Sequence, residues 1–172
     1  MTRRDLFGRI VKGFALAGLG LAAWPFVKSW LPDFGRPSGL EVSLADLGTG
    51  GIKRVRWSGR NVLIMRRGRD MLQSLEREGD LKDPGSSASK QPLFAMNRWR
   101  SRRPEYFVAF SACTHLGCEV TAREDGFVCP CDHAAYDYAG RVRKDAIAPL
   151  NLAVPNYRFV SGNLIRLEEE DV

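Results

Sequence analysis

All four cysteines and both histidines of the 172-residue chain lie between Cys113 and His133. They form two clusters, Cys113-Thr114-His115-Leu116-Gly117-Cys118 and Cys129-Pro130-Cys131-Asp132-His133. Thiolate and imidazole together are donors for zinc and for iron–sulfur sites. Two irons bridged by two sulfides need four terminal ligands, and two thiolates on one iron with two imidazoles on the other supply them. Thiolates carry negative charge and neutral imidazoles do not. The histidine-bound iron is therefore the more readily reduced, at a potential above that of an all-cysteine cluster. The two spare cysteines can then close a disulfide, which an exported protein permits. Two other readings use the same residues. Four of the six groups could hold zinc in a tetrahedron, although zinc knuckles usually make up for a missing core and this chain has strands of its own. Two ordinary disulfides with incidental histidines would leave unexplained why both histidines sit beside cysteines.

The elements that position these residues read as β-strands. Residues 106–110 form an apolar run that delivers the chain to Cys113, and Phe127-Val128 delivers it to Cys129 after an Arg123-Glu124-Asp125-Gly126 turn. Lys53, Val55 and Trp57 alternate with Arg54 and Arg56, and Ser58-Gly59-Arg60-Asn61 turns the chain into Val62-Leu63-Ile64-Met65, a hairpin. Gly48, Gly50 and Gly51 form a turn with no helix pattern behind them, which argues against a phosphate-binding loop. Asp70 caps a short helix expected over 71–78 and ended by Gly79. Residues 80–104 are a basic, loop-like insertion. Closing strands are expected over 150–154, 157–160 and 164–167, the last two joined by Ser161-Gly162-Asn163, and the acidic residues 168–171 make a solvated tail. There are no internal repeats.

The N-terminus differs in character. Arg3-Arg4 precedes Leu6-Phe7, and residues 13–27 carry no charge between Lys12 and Lys28. A span wants about 20 apolar residues, which this run approaches if Lys28 snorkels to the interface. A cleaved signal peptide and a helix buried in a soluble core are the alternatives to a retained anchor. Basic residues upstream place the N-terminus in the cytoplasm, and twin arginines match the Tat export route. Residues 1–31 are thus read as the anchor, 32–39 as a Pro/Gly linker and 40–172 as the main domain. The net charge of +6 and pI near 9.4 would suit nucleic acid, but the arginines are scattered and an exported domain meets none. Arg54, Arg56, Arg66, Arg67 and the arginines of 98–103 are expected to be solvated or to face acidic partners. Trp24 and Trp30 suit a membrane interface.

Cys-Thr-His-Leu-Gly-Cys and Cys-Pro-Cys resemble the Rieske iron–sulfur subunit of bacterial ubiquinol–cytochrome c reductase, the cytochrome bc complex. The resemblance runs almost the whole chain. It includes the twin-arginine anchor, Leu81-Lys82-Asp83-Pro84, Gln91-Pro92, Pro104-Glu105, residues 136–142 and Ala148-Pro149-Leu150-Asn151-Leu152. It implies an all-β Rieske-type domain: antiparallel sheets and a small cluster-binding subdomain, with loops near 112–118 and 129–137, preceded by one transmembrane helix. It further implies a [2Fe-2S] cluster with Cys113 and Cys129 on one iron and His115 on the other. Cys118 and Cys131 would form the disulfide, Leu116 would shield the cluster, and the Tyr136 hydroxyl would donate to the sulfur of Cys129. Without the family, Tyr136 reads as a half-buried core aromatic.

The family's second loop reads Cys-Pro-Cys-His-Gly-Ser, where this chain has Cys129-Pro130-Cys131-Asp132-His133-Ala134. Three readings stay open. The loop shifts by about a residue and His133 ligates, at a steric cost because glycine is chosen for conformations other residues resist. Alternatively Asp132 ligates, and its charge depresses the potential. Or no cluster forms and the subunit is structural. Ala134 lacks the family's serine hydroxyl, a donor to a cluster sulfide, and that loss also lowers the potential. Ile147 stands where the family's loop often has proline. The resemblance implies that His115, and His133 if it ligates, meets quinol in a pocket formed with cytochrome b. One electron then passes to a c-type cytochrome as the domain swings on its linker. The setting would be a dimeric complex in the bacterial inner membrane, single-pass, main domain periplasmic. A membrane-anchored Rieske carrier outside such a complex is the rival.

Overall fold

The computed structural model describes residues 3–30, 39–76 and 80–169. The chain divides into two units, Met1–Pro37 and Ser38–Val172. In the first, α1 (Arg3–Trp30) runs for 28 residues, about 42 Å at 1.5 Å per residue. That exceeds the ~30 Å hydrocarbon core of a bilayer, and Leu6–Trp30 is apolar enough to cross one. Phe7, Phe14, Leu16, Leu21 and Trp24 are all exposed. A helix that is apolar all round suits lipid better than one face of a soluble core. It fits a membrane anchor. Pro25 lies inside it, as membrane helices tolerate. The linker expected over 32–39 lies outside the described residues except for Gly39, where the first strand begins.

Among the described residues the second unit contains nine strands: β1 (Gly39–Ser43), β2 (Ile52–Trp57), β3 (Arg60–Arg66), β4 (Tyr106–Phe110), β5 (Thr121–Arg123), β6 (Gly126–Val128), β7 (Ala135–Tyr136), β8 (Asn156–Ser161) and β9 (Leu164–Glu168). They pair antiparallel in three sheets, β1-β9-β8, β2-β3-β4 and β5-β6-β7. The domain is all-β in the expected sense. β3 is the middle strand of its sheet, and Val62, Leu63, Ile64 and Met65 are all buried. A strand covered on both faces has no use for polar alternation. Its partner β4 is buried along its whole length, with Ile64 opposite Val108, and each such side chain contributes about 2 kcal/mol by leaving water. The hairpin turn is Ser58-Gly59, both at positive φ (49° and 76°), as a two-residue turn matched to strand twist requires.

Three sequence expectations change. Residues 150–154 make no strand. Their backbone groups bond singly to different elements: Asn151 N donates to Ser89 Oγ (3.0 Å), Leu152 N to Gly140 O (2.8 Å), and Ala153 O accepts from Phe110 N (2.8 Å). The short helix is α2 (Arg69–Ser74), and its N-cap is Gly68, with Asp70 inside the first turn. It stops early because Leu75 drops into the core and its carbonyl is taken by Arg141 Nη2 (2.8 Å). Gly79 lies outside the described residues. Finally, Arg67 and Arg100 are buried. Arg100 donates to the carbonyls of Ala139, Gly140 and Leu152 and to Gln91 Oε1, and Arg67 to Pro104 O, Trp99 O and Ser101 Oγ. A guanidinium brings five donors in a fixed fork, so one side chain can satisfy several buried carbonyls of the 80–104 insertion. Desolvation lowers both guanidinium pKa values to about 10, and they remain charged at neutral pH.

Candidate metal centre

Two loops leave the sheets at one end and close in the same way. In the first, after β4, Cys113 N donates to Cys118 O (2.8 Å) and Gly117 N to Cys113 O (2.9 Å). In the second, after β6, Cys129 N donates to Ala134 O (2.9 Å) and His133 N to Cys129 O (3.0 Å). The fifth residue of each loop sits at positive φ, Gly117 at 77° and His133 at 59°. A Cys118–Cys131 disulfide joins the loops. The strands beneath them pack tightly: a Cβ on Gly126 would lie 2.0 Å from Tyr136 O, so β6 passes β7 only with glycine there.

Cys113 and Cys129 are free thiols, buried at the base of the loops. The ligand atoms of Cys113, Cys129 and Asp132 all lie within 4.8 Å of one another. Asp132 Oδ2 is 2.7 Å from His115 Nδ1 and 3.8 Å from Cys113 Sγ, while Oδ1 accepts from Ala134 N (3.0 Å). Its side chain is 8% exposed, against 34% for His115. Burial, with Asp132 adding to it, pushes the Cys129 thiol up to about 11. A bound cation reverses that balance and draws the thiolate out. Hydrogen bonds from Cys129, the Ala134 N–H and His115 hold the Asp132 carboxyl down, at about 2. Burial and the neighbouring Cys113 raise the Tyr136 phenol, which stays a donor.

The structure brings Cys113 and Cys129 of the expected ligands together with Asp132, and His115 meets this group through its Nδ1 contact with Asp132. It does not bring His133, which is exposed. The loop has not shifted by a residue, because its closing hydrogen bonds place the Asp132 side chain inward. The Tyr136 hydroxyl sits at Cys113 Sγ (3.3 Å) instead of Cys129, held by Thr114 N (3.2 Å). β7 pairs with β6 and faces the first loop across the site, so its tyrosine reaches the first cysteine. Leu116 is 61% exposed, at the tip beside His115.

Two residues escaped sequence reasoning. Thr114 Oγ1 donates to Leu150 O (2.6 Å) and ties the first loop to the segment after Ile147. Lys82 Nζ donates to Ala146 O and to Ala148 O (3.1 Å), on either side of the exposed Ile147. Only their place in segments shared with the resembled family could have pointed to them. Two thiols, an imidazole and a carboxylate match in number the four terminal ligands of a two-iron cluster, and their donor chemistry fits one.

No protein-family model matches the chain. The ubiquinol–cytochrome c reductase iron–sulfur subunit of Allochromatium vinosum is 36% identical over 169 residues, covering 89% of this chain and 82% of that one. The subunit of the same name from Blastochloris viridis is 35% identical over 174 residues, covering 96% and 92%. The mitochondrial cytochrome b-c1 complex subunit Rieske-1 of Nicotiana tabacum is 37% identical over 129 residues, 72% of this chain and 46% of its own length. Among solved structures, a chain of a hyperthermophilic respiratory Complex III superposes with a TM-score of 0.55 at 18% identity, over 95% of this chain and 99% of that one, a likeness of fold. With its all-β domain, its joined cysteine loops and these relatives, the chain belongs to the family of Rieske iron–sulfur subunits of ubiquinol–cytochrome c reductase.

Proposed function

We propose that this chain is the electron-accepting subunit of a quinol–cytochrome c oxidoreductase, with a [2Fe-2S] cluster held by Cys113, Cys129 and His115. One observation supports the reading: two buried free thiols lie together with Asp132, which the His115 imidazole contacts from the surface, where a disulfide joins the loops. When bound, the cluster supplies a one-electron acceptor whose imidazole-bound iron is the more readily reduced. The rest is the work of the chain. His115 turns Nδ1 inward, which leaves Nε2 for the quinol hydroxyl and its proton. Leu116, exposed beside it, limits water at that contact and gives the tip an apolar face for cytochrome b. Lys82 and Thr114 hold the segment around Ile147 against the first loop. The linker over 32–39 lets the head reach a c-type cytochrome. α1 anchors the chain in the bacterial inner membrane with the head in the periplasm after Tat export, within a dimeric complex.

Purification from native membranes tests this. The expected result is co-purification with b- and c-type haem and quinol-dependent reduction of cytochrome c, abolished by His115→Ala. A solitary iron–sulfur protein would mean a membrane-anchored carrier instead. The Asp132–His115 contact favours one second reading, a subunit that keeps the fold without the cluster. Protein from its own host with neither iron nor sulfide would establish that one.

A further inference from the structure

We infer that Asp132, not His133, is the fourth iron ligand, so that two thiolates, one imidazole and one carboxylate hold the cluster. The inference rests on the proposal that the chain carries a two-iron cluster.

Gly117 and His133 occupy the same position in two loops closed by the same hydrogen bonds. A Cβ built on Gly117 meets nothing within 4 Å, so a side chain at that left-handed position points away from the site. His133 does point away: it is exposed. Turning it inward would break its N–H bond to Cys129 O and the Cys129 N–H bond to Ala134 O. It would also move Cys131, which the disulfide fixes to the first loop.

Asp132 needs no such rearrangement. Its Oδ1 is pinned by the Ala134 N–H, and its Oδ2 already lies beside His115 Nδ1 and Cys113 Sγ. One oxygen is held by the backbone, and the other, hydrogen-bonded to His115 Nδ1, lies on the side of the thiols, as a monodentate ligand requires. No lysine or arginine pairs with this carboxylate among the described ion pairs; its one partner is His115. A metal bound at Oδ2 would take the place of the His115 hydrogen bond.

A carboxylate adds a negative charge where the family's imidazole is neutral. The more negative reduced state is then disfavoured and the potential falls. Such a subunit accepts electrons from a quinol of correspondingly lower potential.

The test is pulsed electron–nuclear double resonance on the reduced full chain, labelled with ¹⁵N-histidine and purified from membranes. One histidine nitrogen strongly coupled to the cluster is expected, unchanged in His133→Ala. Asp132→His should add a second coupled nitrogen and raise the potential. Two coupled nitrogens in the unaltered protein, one of them lost in His133→Ala, would overturn the inference and leave the cluster proposal standing. Absence of iron and sulfide would overturn the proposal and the inference with it.

Discussion

In the first site loop a glycine takes the left-handed position, Gly117 at φ 77°, and in the second a histidine takes it, His133 at φ 59°. The closing hydrogen bonds are otherwise the same. The first loop keeps every group its resemblance implies, and the second keeps its cysteines and its closure while exchanging the side chains between them. Scaffold and donor are thus separable. The cysteines, the disulfide and two backbone hydrogen bonds set where the loop runs. The residue that follows Cys131 inherits the inward direction whatever its chemistry. A histidine one step later inherits the outward one.

The sharpest break is to remove a thiol from either loop. Cys113→Ala and Cys129→Ala should each reduce iron and sulfide content to near zero, and if one mutant keeps its metal the loops are not equal partners. Next comes the tie between them. Cys131→Ala opens a link of sequence separation 13, and chain-entropy arguments put the loss at about 3 kcal/mol, read by urea unfolding.

The hydroxyls around the sulfurs differ between the two loops. Tyr136→Phe takes a donor from Cys113 and strands the Thr114 N–H, which should cost about 1–2 kcal/mol and lower the measured potential. Ala134→Ser supplies the hydroxyl that the second loop lacks and should raise it. The smallest effects come from the left-handed position. His133→Gly should stabilise the protein by about 0.5–1 kcal/mol, the backbone strain relieved less the entropy glycine adds to the unfolded chain. Gly117→Ala should cost a similar amount. Stabilisation by neither glycine would mean that the loops do not close alike.

Much of this was legible in the sequence because local signals agreed. The β2–β3 and β8–β9 hairpins have apolar runs flanking turn residues, and the disulfide partners follow from the family's motifs. Other features depend on contacts far along the chain. β1 is five residues with no turn signal of its own, and pairing with β9 makes it a strand. Residues 150–154 are apolar enough for a strand, yet no neighbouring strand offers them a ladder. Nothing in an arginine-rich stretch distinguishes Arg98, which is exposed, from Arg100, which is buried; the carbonyls around Arg100 decide. Asp132 and His133 are the same problem at the site. Residue type says both could ligate, and only the backbone angle says which one faces in.

Whether the two loops hold an iron–sulfur cluster is read by counting iron and acid-labile sulfide per chain in protein purified from its own host. The reduced spin-resonance spectrum should be recorded on the same sample. Two irons, two sulfides and the signal of a reduced two-iron cluster are predicted. A folded chain with neither iron nor sulfide would contradict the account and leave a subunit whose site serves only its structure.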